Sequence, residues 1–183
     1  MPLQVNINRG TRPSPRIVSP NIVVQRACSA GNPNATQALA VTIPICRVDQ
    51  RRLQYEEQQR SGQLEFRFQT GILQLTLQQA VFIANNLSNC AQNIWAEHEQ
   101  DHVRDNRQIM SRMDRAIRAH RDLQSIFITP QWYPRRAFNT VQETIFSTVG
   151  DIFRDLTSDA VLNRDTSTVY SSIRARIRRQ CNS

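Results

Sequence analysis

Two histidines stand four residues apart, with a glutamate beside the first, in His98-Glu99-Gln100-Asp101-His102. On a helix, residues at this spacing lie one above the other on one face, so both imidazoles can reach a single Zn²⁺ at about 2.0–2.1 Å. Zinc lowers the pKa of a bound water towards about 7, and a carboxylate beside the first histidine can take its proton as it attacks a carbonyl. His98 and His102 are therefore the expected metal ligands and Glu99 the expected general base, the arrangement of metallopeptidases. With three histidines and six glutamates in 183 residues, chance supplies an HExxH about twice in a thousand such chains. The spacing is therefore a specific signal.

A catalytic zinc takes a third protein ligand. His120 is 18 residues beyond His102, roughly 27 Å along an unbroken helix at 1.5 Å per residue, and is excluded. Asp105 shares the helix face with His98 and is expected to support the site from behind the ligands or to face solvent. The HExxHxxGxxH pattern is absent, since position 105 is Asp and position 108 is Gln. If two long helices pair antiparallel around a loop near 127–138, residues 160–167 come level with His98–His102. This favours Asp159 or Asp165 over Glu143, which remains open if the first helix breaks early.

The elements that must position these residues follow from periodicity. Residues 1–33 hold five of the eight prolines and read as an extended arm, with a short strand at Ile22–Val24. Ala38–Cys46 reads as a strand in which Pro44 marks an edge position or a strand end, and Arg51–Arg60 as a short helix. Leu64, Phe66 and Phe68 alternate with polar residues, as do Leu73, Leu75 and Leu77. With Thr70-Gly71 between them, they predict an antiparallel hairpin whose second strand could align an extended substrate. From Leu87 to Thr129 there is no Gly or Pro, and Ala91, Ile94, Trp95, His98 and His102 recur at three- and four-residue spacing. One long helix is expected. A second follows at Asn139–Leu162, then a short basic helix. The fold class is thus α+β: an N-terminal antiparallel sheet, then the HExxH helix packed on a second helix. Residues 34–183 form one domain.

The segment Trp95-Ala-Glu-His-Glu-Gln-Asp-His102 resembles the active-site helix of a group of small bacterial zincin-like proteins of uncharacterised function. Their pattern sets a tryptophan shortly before HE-x-G-H, a Cys-x-Val strand in a β-rich half, and Asp-x-x-Thr-x-His-Gly near the end. This chain has Cys46-Arg47-Val48 and Asp165-Thr-Ser-Thr168-Val-Tyr170-Ser171, so the match covers roughly residues 38–171 in order of elements. Asp101 replaces the motif glycine, and Tyr170-Ser171 the terminal His-Gly. The resemblance implies a zincin-like, gluzincin-type metallopeptidase architecture. Where that histidine is a ligand, Tyr170 takes its place as ligand or transition-state stabiliser, or Asp165 is the ligand.

All 23 basic residues are arginine, against 15 acidic ones, for a net charge of +8. In the long helix they interleave with acids (Arg104/Asp105, Asp114/Arg115, Arg121/Asp122), the pattern of a solvated, ion-paired face. No nucleic-acid motif accompanies them, so no specific nucleic-acid partner is expected. No window approaches 18 apolar residues, which argues against a membrane span. The N-terminus lacks the order of a secretory signal. Absent lysine removes ubiquitin acceptors and suits a protein that must survive in a host cytosol. The reading is a zinc endopeptidase, secreted or translocated without a signal peptide, that acts on protein or peptide substrates, including a host protein; a cytoplasmic location is the alternative. The alternative functions are a catalytically inactive zincin-like binding module and a basic nucleic-acid or membrane-surface binder. The four cysteines (Cys28, Cys46, Cys90, Cys181) fit no zinc-ribbon spacing and are expected as buried thiols in preference to disulfides.

Overall fold

A computed structural model describes residues 3–32, 35–49 and 53–181. Among the described residues, strands β1 (Gln4–Asn8), β2 (Pro15–Val18), β3 (Ala40–Asp49), β4 (Gln54–Arg60), β5 (Gln63–Thr70), β6 (Ile72–Ala84) and β7 (Tyr133–Pro134) accompany five α-helices. The helices are α1 (Pro20–Ser29), α2 (Asn89–Ala119), α3 (Arg121–Ile128), α4 (Arg135–Arg164) and α5 (Ser167–Cys181). The α+β expectation holds. The chain divides into two units, one within Met1–Arg9, Cys46–Leu77 and Ile109–Leu156, the other within Gly10–Ile45, Gln78–Gln108 and Thr157–Ser183.

In the first unit β4 and β5 form an antiparallel hairpin, with Arg60 opposite Gln63. The two turn residues, Ser61 (φ 51°) and Gly62 (φ 80°), both take the positive φ that a two-residue hairpin turn requires. Arg51–Arg60 was expected as a helix. Its described part from Gln54 is instead strand, because Tyr55 and Glu57 pair across to Phe68 and Phe66, while residues 51 and 52 lie outside the described residues. The expected hairpin of residues 64–68 with 73–77 does not form either: β5 pairs with β4 and β7, and β6 with β1. Gly71 is a packing point in place of a hairpin turn. A Cβ there would lie 2.6 Å from both Leu3 Cδ1 and Phe127 Cδ1. The alternation itself was a true burial signal, since Phe66, Phe68, Leu73, Leu75 and Leu77 are all buried. Phe68 stacks on Phe138 at 4.6 Å between centroids, and each such buried side chain stabilises the fold by about 1.5–3 kcal/mol.

The second unit is layered. Along β6, Phe82 and Ala84 join Val23 and Ala27 of α1 in one apolar cluster, while Val81 and Ile83 join Trp95 and Val103 of α2 in another. The period of two thus buries both faces of this strand. β3 obeys the same alternation: Val41 faces the α1 cluster and Ala40 the α2 cluster, which turns Thr42 towards α2. Ile173 and Ile177 of α5 pack on the α2 cluster. Pairing of β2 with β6 is parallel, as is that of β1, so the expectation of a wholly antiparallel sheet is corrected.

The proline-rich N-terminal segment, expected as an extended arm, is part strand and part helix. It supplies β1, β2 and α1, and Ile22–Val24 is helical where a strand was expected. Pro20 is the reason, because it occupies the first turn of α1, where its missing N–H costs nothing and its fixed φ suits a helix start. The cysteine expectation is also corrected. Cys90 and Cys181 are bonded to each other, while Cys28 is a free, exposed thiol and Cys46 a free, half-buried one. Among the described residues, no helix is long and apolar enough to cross a membrane.

Candidate metal centre

Helix α2 is capped by the preceding Ser88, whose hydroxyl accepts from the Ala91 N–H at 3.3 Å, a standard N-terminal cap. Its inward stripe in this unit runs Ala91, Ile94, Trp95, His98, Glu99, His102, Val103 and Asn106, all buried. The apolar spacing that makes the helix amphipathic therefore carries the two histidines and the glutamate inward with it. His98 and His102 are each 7% exposed and Glu99 is 3% exposed.

Opposite them, α4 ends at Arg164 and the chain turns through Asp165 and Thr166 into α5. Asp165 extends the last turn, its N–H donating to the Val161 carbonyl at 2.8 Å, and Thr166 caps α5 by accepting from the Val169 N–H at 3.3 Å. This junction sets Asp165 Oδ1 2.9 Å from His102 Nε2 and 3.2 Å from His98 Nε2, with the two ring nitrogens 3.2 Å apart. Three donor atoms on a tetrahedral zinc at 2.0–2.1 Å lie about 3.3–3.4 Å from one another. The observed triangle is close to that size, and two imidazoles with one carboxylate form a suitable donor set for zinc.

His98, Glu99 and His102 also lie with one ligand atom each within 4.8 Å of one another. Of the two carboxylates, Asp165 is the one whose oxygen touches both ring nitrogens. Glu99 is engaged elsewhere: the Thr42 hydroxyl of β3 lies 2.7 Å from its Oε2 and 3.2 Å from its carbonyl oxygen. Burial pushes the Glu99 carboxyl above its ordinary range, only partly offset by His102, Thr42 and His98. Burial disfavours ionised Asp165 too, but hydrogen bonds from His102 and His98 outweigh it and hold that carboxyl well below the usual range. His102 is correspondingly raised, since the Asp165 hydrogen bond and the Glu99 charge outweigh its burial.

Tyr170, one turn into α5, completes the enclosure. Its ring lies 6.0 Å from that of His98 and 5.8 Å from that of Trp95. Burial, reinforced by the charges of Asp165 and Glu99 and a hydrogen bond to Asp165, pushes its phenol up and keeps it protonated. Asp105 holds Arg164, the residue before Asp165: that guanidinium reaches Asp105 Oδ2 at 2.5 Å, Asp105 Oδ1 at 3.0 Å and Asp101 Oδ2 at 3.3 Å. Asp101, in the place of the motif glycine, thus helps fix the residue that precedes Asp165.

Of the other acids, Asp159 and Glu143 are exposed on α4, and Glu143 belongs to the first unit. The early helix break that would have favoured Glu143 is at His120, which accepts from the Leu123 N–H as the cap of α3. Residues 73–77, expected to align a substrate, also belong to the first unit, and the strand that touches Glu99 is β3. Among the described residues β3 pairs with β6 alone. Sequence reasoning missed Thr42 and Arg164. A threonine in an alternating strand and an arginine at a helix end carry no local mark of such contacts.

No family model, curated protein or solved structure matches the chain. The zincin-like resemblance therefore stands on its motifs alone.

Proposed function

We propose that the chain is a zinc-dependent peptidase of zincin-like type, with His98, His102 and Asp165 as metal ligands. The observation that carries this reading is the convergence of three donor atoms within 2.9–3.2 Å of one another, beside a buried glutamate. Bound zinc would supply the Lewis acidity that makes water nucleophilic at neutral pH. Glu99, oriented by Thr42, accepts the proton of the attacking water and passes it to the leaving amine. Tyr170, protonated and beside the ligands, donates a hydrogen bond to the carbonyl oxygen as that oxygen gains charge. Among the described residues β3 pairs with β6 alone, and its other edge would offer main-chain groups to an extended peptide.

The cystine between Cys90 and Cys181 favours folding in an oxidising compartment, and so a secreted or exported protein, with a host protein as a candidate substrate. Among the described residues six arginines pair with acids, Arg118 with Asp114 and Arg176 with Glu97 among them, so part of the charge lies on an ion-paired surface. The test is metal analysis with peptide cleavage. The wild type is expected to hold about one zinc per chain and to cleave an unstructured protein, and Glu99→Gln to keep the metal and lose cleavage by at least a hundredfold. Wild-type protein purified without chelators and still free of zinc would overturn the reading.

A further inference from the structure

A cavity of about 240 Å³ opens beside the metal centre, walled by the segment Gln37–Ala40, by Trp95, and by Ser167, Tyr170, Ser171 and Arg174 of α5. The α5 residues fall three and four apart and so form one stripe of that helix. Tyr170 and Trp95 are shared walls, since both rings also pack near the His98 ring. The cavity is smaller than the roughly 300–1,000 Å³ of ordinary cofactor and drug sites. It suits one amino-acid side chain. It reaches Ala40, two residues before Thr42, and two residues of a strand span about 7 Å. An extended peptide whose scissile carbonyl lies at Glu99 therefore presents a neighbouring residue to this cavity.

The lining chemistry is one-sided. Arg174 is its only ionised group, and among the described residues no acid pairs with it, whereas Arg176 two positions on holds Glu97 at 2.5 Å. Ser167 and Ser171 add hydroxyl donors, and Ser167 opens the first turn of α5, where the helix dipole favours negative charge. We infer that this cavity receives a carboxylate of the peptide substrate adjacent to the cleaved bond, either an Asp or Glu side chain or the free C-terminus. The inference rests on the peptidase reading for its substrate and on the cavity for its selectivity.

Binding tests it without requiring turnover. Zinc-loaded Glu99→Gln protein that also carries Trp132→Phe keeps Trp95 as its sole tryptophan, so quenching of its fluorescence reports occupancy of the cavity. The probes are three hexapeptides: an amidated one with an internal glutamate, its amidated glutamine counterpart, and the glutamine peptide with a free C-terminus. A peptide that carries the matching carboxylate is expected to bind about tenfold more tightly than the amidated glutamine peptide. Preference for the internal glutamate identifies a side-chain pocket, and preference for the free acid a C-terminal one. Arg174→Gln should bring the ratio below about threefold, and Arg174→Glu should reverse it. Equal affinities for all three peptides, or a carboxylate preference that survives Arg174→Gln, would overturn the assignment. If the carboxylate preference holds but the wild type cleaves no peptide, the pocket stands and the peptidase reading falls.

Discussion

Exchange of Asp165 for asparagine keeps the shape of the side chain and removes its charge, at an atom 2.9 and 3.2 Å from two ring nitrogens. A structural zinc site is worth an apparent 10–16 kcal/mol or so at neutral pH over four ligands. An equal share is about 3 kcal/mol per ligand, or roughly 150-fold in affinity. Asp165→Asn is therefore expected to bind zinc about two orders of magnitude more weakly than wild type, measured by competition against a chromophoric chelator at fixed pH. Glu99→Gln serves as the parallel case, because Glu99 is within reach of the same nitrogens and is held by Thr42. Glu99→Gln is expected to bind zinc with near-wild-type affinity. Asp165→Asn with unchanged affinity, alongside a Glu99→Gln protein that loses zinc, would exchange the two roles and refute the ligand set.

Two further outcomes are expected. The Cys90–Cys181 cystine closes a separation of 91 residues, worth about 4–5 kcal/mol in the chain-entropy model. Cys181→Ser should then lower the unfolding midpoint by about 10–18 °C in a scan without reductant, and a shift below about 3 °C would show that the bond adds little. The Cys46 thiol is pushed by burial from 9.0 up to about 11, so at pH 8 it holds about a hundredfold less thiolate than a thiol titrating at 9.0. Timed alkylation followed by mass spectrometry should label exposed Cys28 first. Cys46 should quicken roughly tenfold per pH unit up to about pH 10, and a rate flat across that range would contradict the assignment.

What could be read in the sequence depended on the range of each interaction. His98, Glu99 and His102 were legible because helical spacing alone sets them on one stripe. Asp165 came within reach through a longer argument, the level at which an antiparallel helix returns. Thr42 did not, since its contact with Glu99 bridges 57 residues and depends on which face of β3 meets α2. Strand alternation gave the burial of Phe66, Phe68 and Leu73–Leu77 but not their partners, because a period of two says which face is buried and nothing of which strand lies alongside. Thr70-Gly71 looked like a turn for a related reason. Gly71 is there to let Leu3 and Phe127 approach, a demand that no neighbouring residue announces.

The cystine also makes the stretch from Cys90 to Cys181 a covalent ring, and His98, Glu99, His102, Asp165 and Tyr170 all lie on it. Gln131, in the segment between α3 and β7, is exposed and is open to a protease. A cut there would leave a two-chain molecule, with both histidines on one chain and Asp165 and Tyr170 on the other. Under oxidising conditions the halves would remain joined by a single covalent bond, and only a reductant together with a denaturant would release them. A nicked form would thus run as one band on a denaturing gel without thiol and as two with it.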